Sequence, residues 1–281
     1  MDSNLNFQYH TFGCKVNTYD TGLMQKKINP EARNLSSAAA LVKDTAMTAR
    51  NYPVHILNTC AVTQEATLQA VKLIRKLKAK DPISTIVVTG CAAQVDTKHF
   101  ENIAAVDLVV ANSHKHELVE ILNQFFKKEL PHKVIKGNIF KKEDLGLGGG
   151  QEKEHTRAFL KIQDGCNSFC SYCIIPYARG TSRSLSAKSL IAKIKELHVA
   201  GVNEVVLTGV HIGDYEDPTS SQRLEDLLEN LLLETQIPRI RLSSLEPVEV
   251  TDRMLALFKN PRLCPHFHMS IQSANTQVLK D

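Results

Sequence analysis

The sequence predicts an α/β protein in two parts, an N-terminal domain on a parallel sheet followed by part of a (β/α) barrel. Strand-like apolar runs alternate with helical patterns, and the alternation restarts after a lysine- and glycine-rich stretch. Strands that alternate with helices are typical of parallel sheets whose faces are covered by helices. The 43% of hydrophobic and 23% of charged residues exclude a largely disordered or fibrous chain.

The first predicted domain covers residues 1–126. Its apolar runs predict strands over 7–14, 54–60, 85–91 and 106–112, and its periodic patterns predict helices over 64–80 and 116–130. In the helix over 64–80, apolar side chains recur every three or four residues, at Leu68, Val71, Ile74 and Leu77. This spacing places them on one side of a helix that can cover a sheet.

Residues 127–154 are rich in lysine and glycine and predict a linker. A solvated linker is one interpretation of this charge, and a strip that contacts phosphates is the other. The second domain, 155–281, has strands predicted over 158–165, 203–210, 239–247 and 266–273, with helices over 189–201, 224–235 and 250–260. A complete eight-unit barrel takes about 250 residues, so these units predict a partial barrel and a C-terminally incomplete chain.

Composition narrows the partners that this 281-residue chain can have. Its formal net charge of +4 permits an RNA partner without implying one, and it contains no Trp. It shows neither an N-terminal signal pattern nor an apolar run of about 18 residues, so we expect no membrane partner and a cytoplasmic location. We expect a monomer. The odd number of cysteines, seven, argues against a disulfide framework.

Three cysteines, Cys166, Cys170 and Cys173, form a Cys-x3-Cys-x2-Cys motif directly after the first predicted barrel strand. The carboxyl ends of barrel strands are where catalytic groups lie. Three thiolates this close favour an iron–sulfur cluster that keeps one iron open. A zinc site with His155 or His198 as the fourth ligand and a group of inert thiols are the alternatives.

Three further cysteines, Cys14, Cys60 and Cys91, each end a predicted strand. The carboxyl ends of parallel strands share one edge of a sheet, so these thiols are able to converge there on a second cluster. Buried small apolar side chains are the alternative interpretation. The amides of Asn17 and Asn58 either contact a cluster sulfide or fix the local turns.

The residues around the first motif carry a family resemblance. The segment KIQDGCNSFCSYCIIPYARG (161–180) resembles the radical S-adenosylmethionine signature of the methylthiotransferases. TFGCKVNTYD (11–20), ILNTCAVT (56–63) and VTGCAAQ (88–94) are similar to the three motifs of that family's N-terminal domain, in the style of its MtaB-type branch. The resemblance implies a methylthiotransferase N-terminal domain followed by a partial radical-SAM barrel.

The resemblance also implies cofactors and site residues. It implies two 4Fe–4S clusters, an auxiliary one on Cys14, Cys60 and Cys91 and one on Cys166, Cys170 and Cys173 that binds S-adenosylmethionine as co-substrate. The predicted contacts to S-adenosylmethionine lie at strand ends and are Thr208, Gly209, Arg241, Ser243, Glu246 and Gln272. For the last four, ordinary polar residues at strand ends are the alternative.

The function implied by the resemblance is 2-methylthiolation of N6-threonylcarbamoyladenosine at position 37 of tRNA by radical chemistry. Its partners would be the tRNA anticodon loop and unidentified sulfur and electron donors. A non-catalytic iron–sulfur or RNA-binding remnant, and a methylthiotransferase for another tRNA base or a ribosomal protein, are the alternatives. The chain departs from the family over 28–51 and lacks the expected C-terminal TRAM domain.

Overall fold

The computed structural model describes residues 5–28, 52–142, 145–147 and 156–280. The sequence segment that departs from the family lies outside the described residues from position 29 onward, as does His155. The chain forms two compact units. Unit 1 comprises Met1–Gly146 together with Phe169–Gly180, and unit 2 comprises Leu147–Ser168 together with Thr181–Asp281.

Unit 1 is built on a five-stranded parallel sheet whose spatial order follows the chain, β1-β2-β3-β4-β5. The strands are β1 (Leu5–Thr11), β2 (Tyr52–Thr59), β3 (Thr85–Gly90), β4 (Leu108–Ala111) and β5 (Val134–Ile135). All four pairings are parallel, so the carboxyl ends of the strands lie at one edge. The parallel α/β architecture predicted for the N-terminal part is confirmed.

The helices of unit 1 cover both faces of this sheet. They are α1 (Lys15–Ile28), α2 (Gln64–Lys80), α3 (Cys91–Val95), α4 (Thr97–Glu101), α5 (Leu118–Phe126) and α6 (Ile175–Arg179). Met24 of α1 and Leu122 of α5 pack with Ile56 on one face, whereas Ile74 of α2 packs with Leu57 on the other. Neighbouring residues of a strand point to opposite faces, so β2 contributes to both cores.

Helix α2 begins as its sequence predicts. Thr63 caps it by accepting a hydrogen bond from the backbone N–H of Ala66 at 3.3 Å. Val71 and Ile74 are buried as the periodicity predicted, whereas Leu68 is 46% exposed. Ala70, which is fully buried, lies on the covered face in its place.

Strand β5 lies inside the stretch that the sequence indicated as a linker. It is two residues long and pairs with β4 through Val109↔Val134 and Val110↔Ile135. Lys133 extends the connection, since its carbonyl accepts the Val109 N–H at 2.8 Å. A pair of apolar residues among lysines carries no strand periodicity, so the sequence did not indicate this strand.

Unit 2 contains a three-stranded parallel sheet in the order β10-β9-β6 and two small strand pairs. Its strands are β6 (Ala158–Lys161), β7 (Gln163–Asp164), β8 (Arg183–Ser184), β9 (Glu204–Thr208), β10 (Arg239–Leu242), β11 (Ser244–Leu245) and β12 (His268–Met269). Its helices are α7 (Ala187–Val199), α8 (Leu224–Glu234) and α9 (Asp252–Leu257). Within the described ranges of both units, no helix has the length and apolar character to cross a membrane.

Candidate functional site

Cys14, Cys60 and Cys91 lie at the carboxyl ends of three neighbouring strands of unit 1. Cys60 follows β2 directly, Cys91 follows β3 directly, and Cys14 lies three residues beyond the end of β1. Thr59 is paired with Gly90, so Cys60 and Cys91 are the next residues along adjacent strands. Parallel strands are about 4.8 Å apart, which brings the two thiols to one place on the sheet edge.

Two glycines allow these turns to pack closely. An ideal Cβ atom on Gly13 would lie 2.6 Å from Sγ of Cys60, and one on Gly90 would overlap the backbone of Thr59. Both glycines have a positive φ, +98° and +101° respectively, which side chains disfavour. The Gly-Cys pairs seen in the sequence therefore bring the chain closer at this edge than any other residue would allow.

The thiols influence each other electrostatically. Burial raises the pKa of the Cys60 thiol above its ordinary value, and the neighbouring Cys91 and Cys14 thiolates raise it further. The Val62 N–H, 3.5 Å from Sγ of Cys60, and the Arg179 guanidinium act in the opposite direction. A metal that binds here has to displace the proton, so its binding is expected to strengthen as the pH rises.

Asn17 of α1 lies at the centre of the three turns and is fully buried. Its Nδ2 donates to the carbonyl of Phe12 at 2.7 Å and to that of Thr59 at 3.1 Å. Its Oδ1 lies 4.0 Å from Sγ of Cys91. Of the two roles considered for this amide, these contacts support fixing the local turns.

A buried charged group lies beside Asn17. Lys115 donates to Asp20 at 3.3 Å and to Oδ1 of Asn58 at 3.1 Å. Arg179 donates to Asp20 at 3.4 Å, and all three charged side chains are less than one tenth exposed. Sequence reasoning missed Asp20 and Lys115, because nothing in their local pattern marks them as buried.

Asn112 is a further residue that the sequence analysis missed. It follows β4 directly, and its Nδ2 donates to Sγ of Cys91 at 3.5 Å and to the carbonyl of Ala178 at 2.9 Å. Hydrogen bonds to cysteine sulfur tune iron–sulfur centres. The sequence did carry a signal for it, since Asn112 ends the fourth predicted strand, as Cys60 and Cys91 end the second and third.

The segment 169–180 belongs to unit 1 and carries Cys170 and Cys173. The Cys173 N–H donates to the Cys170 carbonyl at 2.9 Å, which places both residues in one tight turn. Helix α6 follows this turn. Cys166, the third member of the motif, belongs to unit 2.

In unit 2, Gln163 holds together the turns that follow β6 and β9. Its Oε1 accepts the N–H groups of Val210 at 3.1 Å and His211 at 3.0 Å. Its Nε2 donates to the carbonyl of Gly165 at 2.7 Å, immediately before Cys166. A Cβ atom on Gly209 would lie 2.8 Å from Oε1 of Gln163. The Gln163 side chain therefore occupies the space that a side chain at position 209 would need.

Cys166 has two potential metal-binding neighbours. One ligand atom each from Cys166, His211 and Asp214 lies within 4.8 Å of the others. However, both His211 ring nitrogens already contact carboxylates, Asp214 at 3.2 Å and Glu249 at 2.5 Å. His198, the fourth ligand considered for zinc, has its Nδ1 3.3 Å from the Val202 carbonyl.

The other predicted contacts to S-adenosylmethionine differ in their surroundings. Thr208 and Ser243 are buried at strand ends, and Ser243 Oγ has no hydrogen-bond partner within the described part of the chain. Glu246 precedes a short helical turn and forms a capping box with Glu249. Gln272 is exposed and has a φ of +58°. Their roles stay predictions.

Arg241 is engaged in an ion pair between strands. Its Nε donates to Glu204 of β9 at 2.8 Å, and Arg239 donates to the same carboxylate at 2.9 Å. Glu204 is the first residue of its strand, so this contact lies toward the amino end of the sheet. The predicted contact between Arg241 and S-adenosylmethionine stays a prediction.

The donor set at the edge of unit 1 fits an iron–sulfur cluster. It consists of three cysteine sulfurs on adjoining strand ends, and cysteine thiolate is the usual ligand of such clusters. The nearby amide of Asn112 already donates to one of these sulfurs.

Comparison with known families divides the chain in the same way as its two sets of motifs. Residues 6–111 match the model described as "Uncharacterized protein family UPF0004". Residues 160–281 match the radical SAM superfamily.

Similar proteins of named function cover almost the whole chain. It is 35% identical over 274 residues to the threonylcarbamoyladenosine tRNA methylthiotransferase MtaB of Aquifex aeolicus, covering 97% of this chain and 64% of that protein. It is 32% identical to MtaB of Bacillus subtilis over 97% of this chain and 58% of the relative. A tRNA-2-methylthio-N(6)-dimethylallyladenosine synthase of Staphylococcus epidermidis is 30% identical, covering 100% of this chain and 54% of the synthase. The chain thus spans about three fifths of the length of these relatives.

Solved structures show the same fold. The radical S-adenosylmethionine methyltransferase TsrM of Kitasatospora setae, with tryptophan and a SAM analogue bound, aligns with a TM-score of 0.62 at 11% identity. The alignment covers 99% of this chain and 61% of TsrM. Fold, motif and superfamily match thus define a radical SAM protein. With the relatives above, the chain belongs to the radical SAM family of MtaB-type methylthiotransferases.

Proposed function

We propose that this chain is the catalytic part of a tRNA methylthiotransferase that adds a 2-methylthio group to N6-threonylcarbamoyladenosine at position 37. The observation that carries the proposal is the convergence of Cys14, Cys60 and Cys91 on neighbouring strand ends, in a chain that also has the Cys-x3-Cys-x2-Cys motif. Two sets of three thiols suit two clusters, which matches a reaction that needs both a sulfur atom and a radical.

The chain's own residues have distinct tasks in this proposal. Cys166, Cys170 and Cys173 would hold a 4Fe–4S cluster, which would bind S-adenosylmethionine at its open iron and, once reduced by the external electron donor, would supply the electron for its cleavage. Cys14, Cys60 and Cys91 would hold the auxiliary 4Fe–4S cluster. The glycines at positions 13 and 90 keep the three auxiliary thiols close, and Asn112 orients Cys91.

The substrate assignment depends on the relatives. The names of the Aquifex and Bacillus relatives specify threonylcarbamoyladenosine in tRNA, whereas that of the Staphylococcus relative specifies dimethylallyladenosine. The target base would be unstacked from the anticodon loop to reach the site, as proteins that read single-stranded RNA loops require. The sulfur donor and the reductant are external partners in this proposal.

Anaerobic reconstitution tests the two-cluster part. The parent chain should take up about eight irons, and the triple variants C14A/C60A/C91A and C166A/C170A/C173A about four each. C264A is the matched control, because Cys264 is a buried cysteine outside both groups. A parent chain that takes up only four irons, or triple variants that lose none, would contradict the proposal.

Activity is tested separately on tRNA anticodon stem-loops that carry either threonylcarbamoyladenosine or dimethylallyladenosine. The expected results are 5′-deoxyadenosine formed on reduction and a mass gain for a methylthio group on the first substrate. Methylthiolation of the second substrate alone would move the chain to the other tRNA branch. Two clusters without cleavage of S-adenosylmethionine would favour a binding remnant.

A further inference from the structure

The side chain of Asn17 touches each of the three cysteine-bearing turns. Its Nδ2 donates to the Phe12 carbonyl, two residues before Cys14, and to the Thr59 carbonyl, directly before Cys60. Its Oδ1 lies 4.0 Å from the third cysteine, Cys91. One amide thereby fixes the relative positions of three turns that are remote in sequence.

The oxygen of the same amide receives a second contact. Nη2 of Arg179 donates to Oδ1 of Asn17 at 2.5 Å, and Nη1 donates to Asp20 at 3.4 Å. Arg179 ends α6, the helix of the segment 169–180 that carries Cys170 and Cys173. The guanidinium is 3% exposed, so these bonds form away from water.

The two halves of the Asn17 amide therefore have different partners. The N–H side contacts the turns of Cys14 and Cys60. The oxygen side accepts from Arg179, which lies in the segment with Cys170 and Cys173, and lies 4.0 Å from Sγ of Cys91. Hydrogen bonds to a charged donor are stronger than neutral ones, and a buried guanidinium without an acceptor is costly. Loss of the Asn17 oxygen removes the shorter of the two contacts of Arg179 described above and leaves the one to Asp20, so it is expected to loosen the segment.

We propose that Asn17 is a positioning residue shared by the two cysteine groups, its N–H group fixing the auxiliary site and its oxygen anchoring the segment 169–180 through Arg179. This inference rests on the proposed function, since it assigns both groups to clusters. It adds that a single amide links the auxiliary cysteines to the segment with Cys170 and Cys173 through contacts within unit 1.

Three substitutions separate the two halves of this amide. N17D retains an oxygen that accepts from Arg179 and loses the N–H donors. R179M retains the donors and loses the guanidinium, and N17A loses both functions. N102A, which removes an exposed asparagine side chain at the end of α4, is the matched control.

The first measurement is arsenite binding by the metal-free chain that lacks Cys166, Cys170, Cys173 and Cys264. As(III) binds three converging thiolates, so it reports on the auxiliary cysteines without a cluster or any catalytic activity. We expect N17A and N17D to weaken binding by about 10- to 100-fold, as the loss of supporting hydrogen bonds does at metal sites. R179M keeps the N–H donors of Asn17 and should weaken binding far less than N17D does, and N102A should bind as the parent does.

The second measurement is amide hydrogen exchange of the segment 169–180 in the 281-residue chain without clusters. We expect N17A and R179M to accelerate exchange by about tenfold, since a strong buried hydrogen bond is lost. N17D and N102A should leave it unchanged. If Asn17 contributed only to folding, N17D and R179M would not each affect a different one of the two measurements.

Two outcomes would overturn the inference: N17D binding arsenite as tightly as the parent, or R179M exchanging at the parent's rate. If N17A fails to fold by circular dichroism, the contrast between N17D and R179M still decides. Failure of the proposed function is distinct. It would appear as a C166A/C170A/C173A chain that takes up no iron before any change is made at position 17.

Discussion

Sγ of Cys60 lies 2.6 Å from the place that a Cβ atom on Gly13 would occupy. Gly13 precedes Cys14, so the turn of one cysteine rests directly on the side chain of another. The backbone of Gly13 has φ +98°, a conformation that costs an L-residue about 1–2 kcal/mol. Space and conformation thus both require glycine at this position.

Gly13→Ala is expected to displace Cys60 and to reduce iron binding by Cys14, Cys60 and Cys91. The measurement is iron content after anaerobic reconstitution of the C166A/C170A/C173A chain. Gly201→Ala is the matched control, because Gly201 has φ +89° but no atom within 4 Å of its Cβ position. Both variants should lose about 1–2 kcal/mol from strain. Equal iron content in the two would contradict the packing argument.

Asn112→Ala is expected to make the reduction potential of the proposed auxiliary cluster more negative. Its Nδ2–H donates to Sγ of Cys91, and hydrogen bonds to cluster sulfur stabilise the reduced, more negatively charged state. The shift should be on the order of tens of millivolts. An EPR-monitored redox titration of the C166A/C170A/C173A chain measures it, with N123A on α5 as the control. An unchanged potential would argue that this contact does not reach the cluster.

Glu204→Gln tests the ion pair that holds Arg241. Burial raises the pKa of Glu204, but hydrogen bonds from Arg241 and Arg239 outweigh it and lower the pKa from 4.5 to about 2. A lowered folded-state pKa stabilises the fold above the unfolded value, and this stabilisation is lost as the pH falls from 4.5 towards 2.

The parent should therefore exceed E204Q in unfolding free energy by about 1–3 kcal/mol at pH 7. The difference should shrink below pH 4.5 and disappear near pH 2. Thermal unfolding across this pH range measures it, and E234Q at the exposed end of α8 is the control. A difference that is independent of pH would show that the charge of Glu204 is not responsible.

Gln163→Leu is expected to destabilise the chain by about 1–3 kcal/mol, because it leaves the half-buried N–H groups of Val210 and His211 without their acceptor. The loss of the bond to the Gly165 carbonyl should also displace Cys166 and slow formation of 5′-deoxyadenosine. Thermal unfolding and a cleavage assay measure the two effects. Q69L, on the exposed side of α2, should show neither effect. If Q163L were as stable as the parent but still formed 5′-deoxyadenosine slowly, the effect on Cys166 would be separate from the effect on stability.

The pattern of apolar residues was sufficient to predict the parallel sheet. Runs such as TIVVTG combine β-branched side chains with a terminal glycine, and the observed strand Thr85–Gly90 coincides with this run. Strand β5 could not be predicted in this way. Its two residues are paired because the edge of β4 is available there. That pairing depends on the tertiary structure and not on the local sequence.

The positions of Cys14, Cys60 and Cys91 could likewise be predicted, since each follows a recognisable strand. Their supporting residues could not. Asp20 and Lys115 are 95 residues apart in the chain, and each in isolation has the pattern of a solvated charge. Whether such a group is buried depends on which helices cover the sheet edge.

By itself, the sequence determined the succession of strands and helices, the placement of Cys14, Cys60 and Cys91 at strand ends and the family to which the chain belongs. Local periodicity and turn chemistry act over a few residues, which is why they can be recognised in one dimension. The tertiary structure alone decided that Asn17 meets Arg179, 162 residues away, and that one segment of the second cysteine motif packs within unit 1. Such contacts arise from the packing of whole elements, and no short stretch of sequence encodes them.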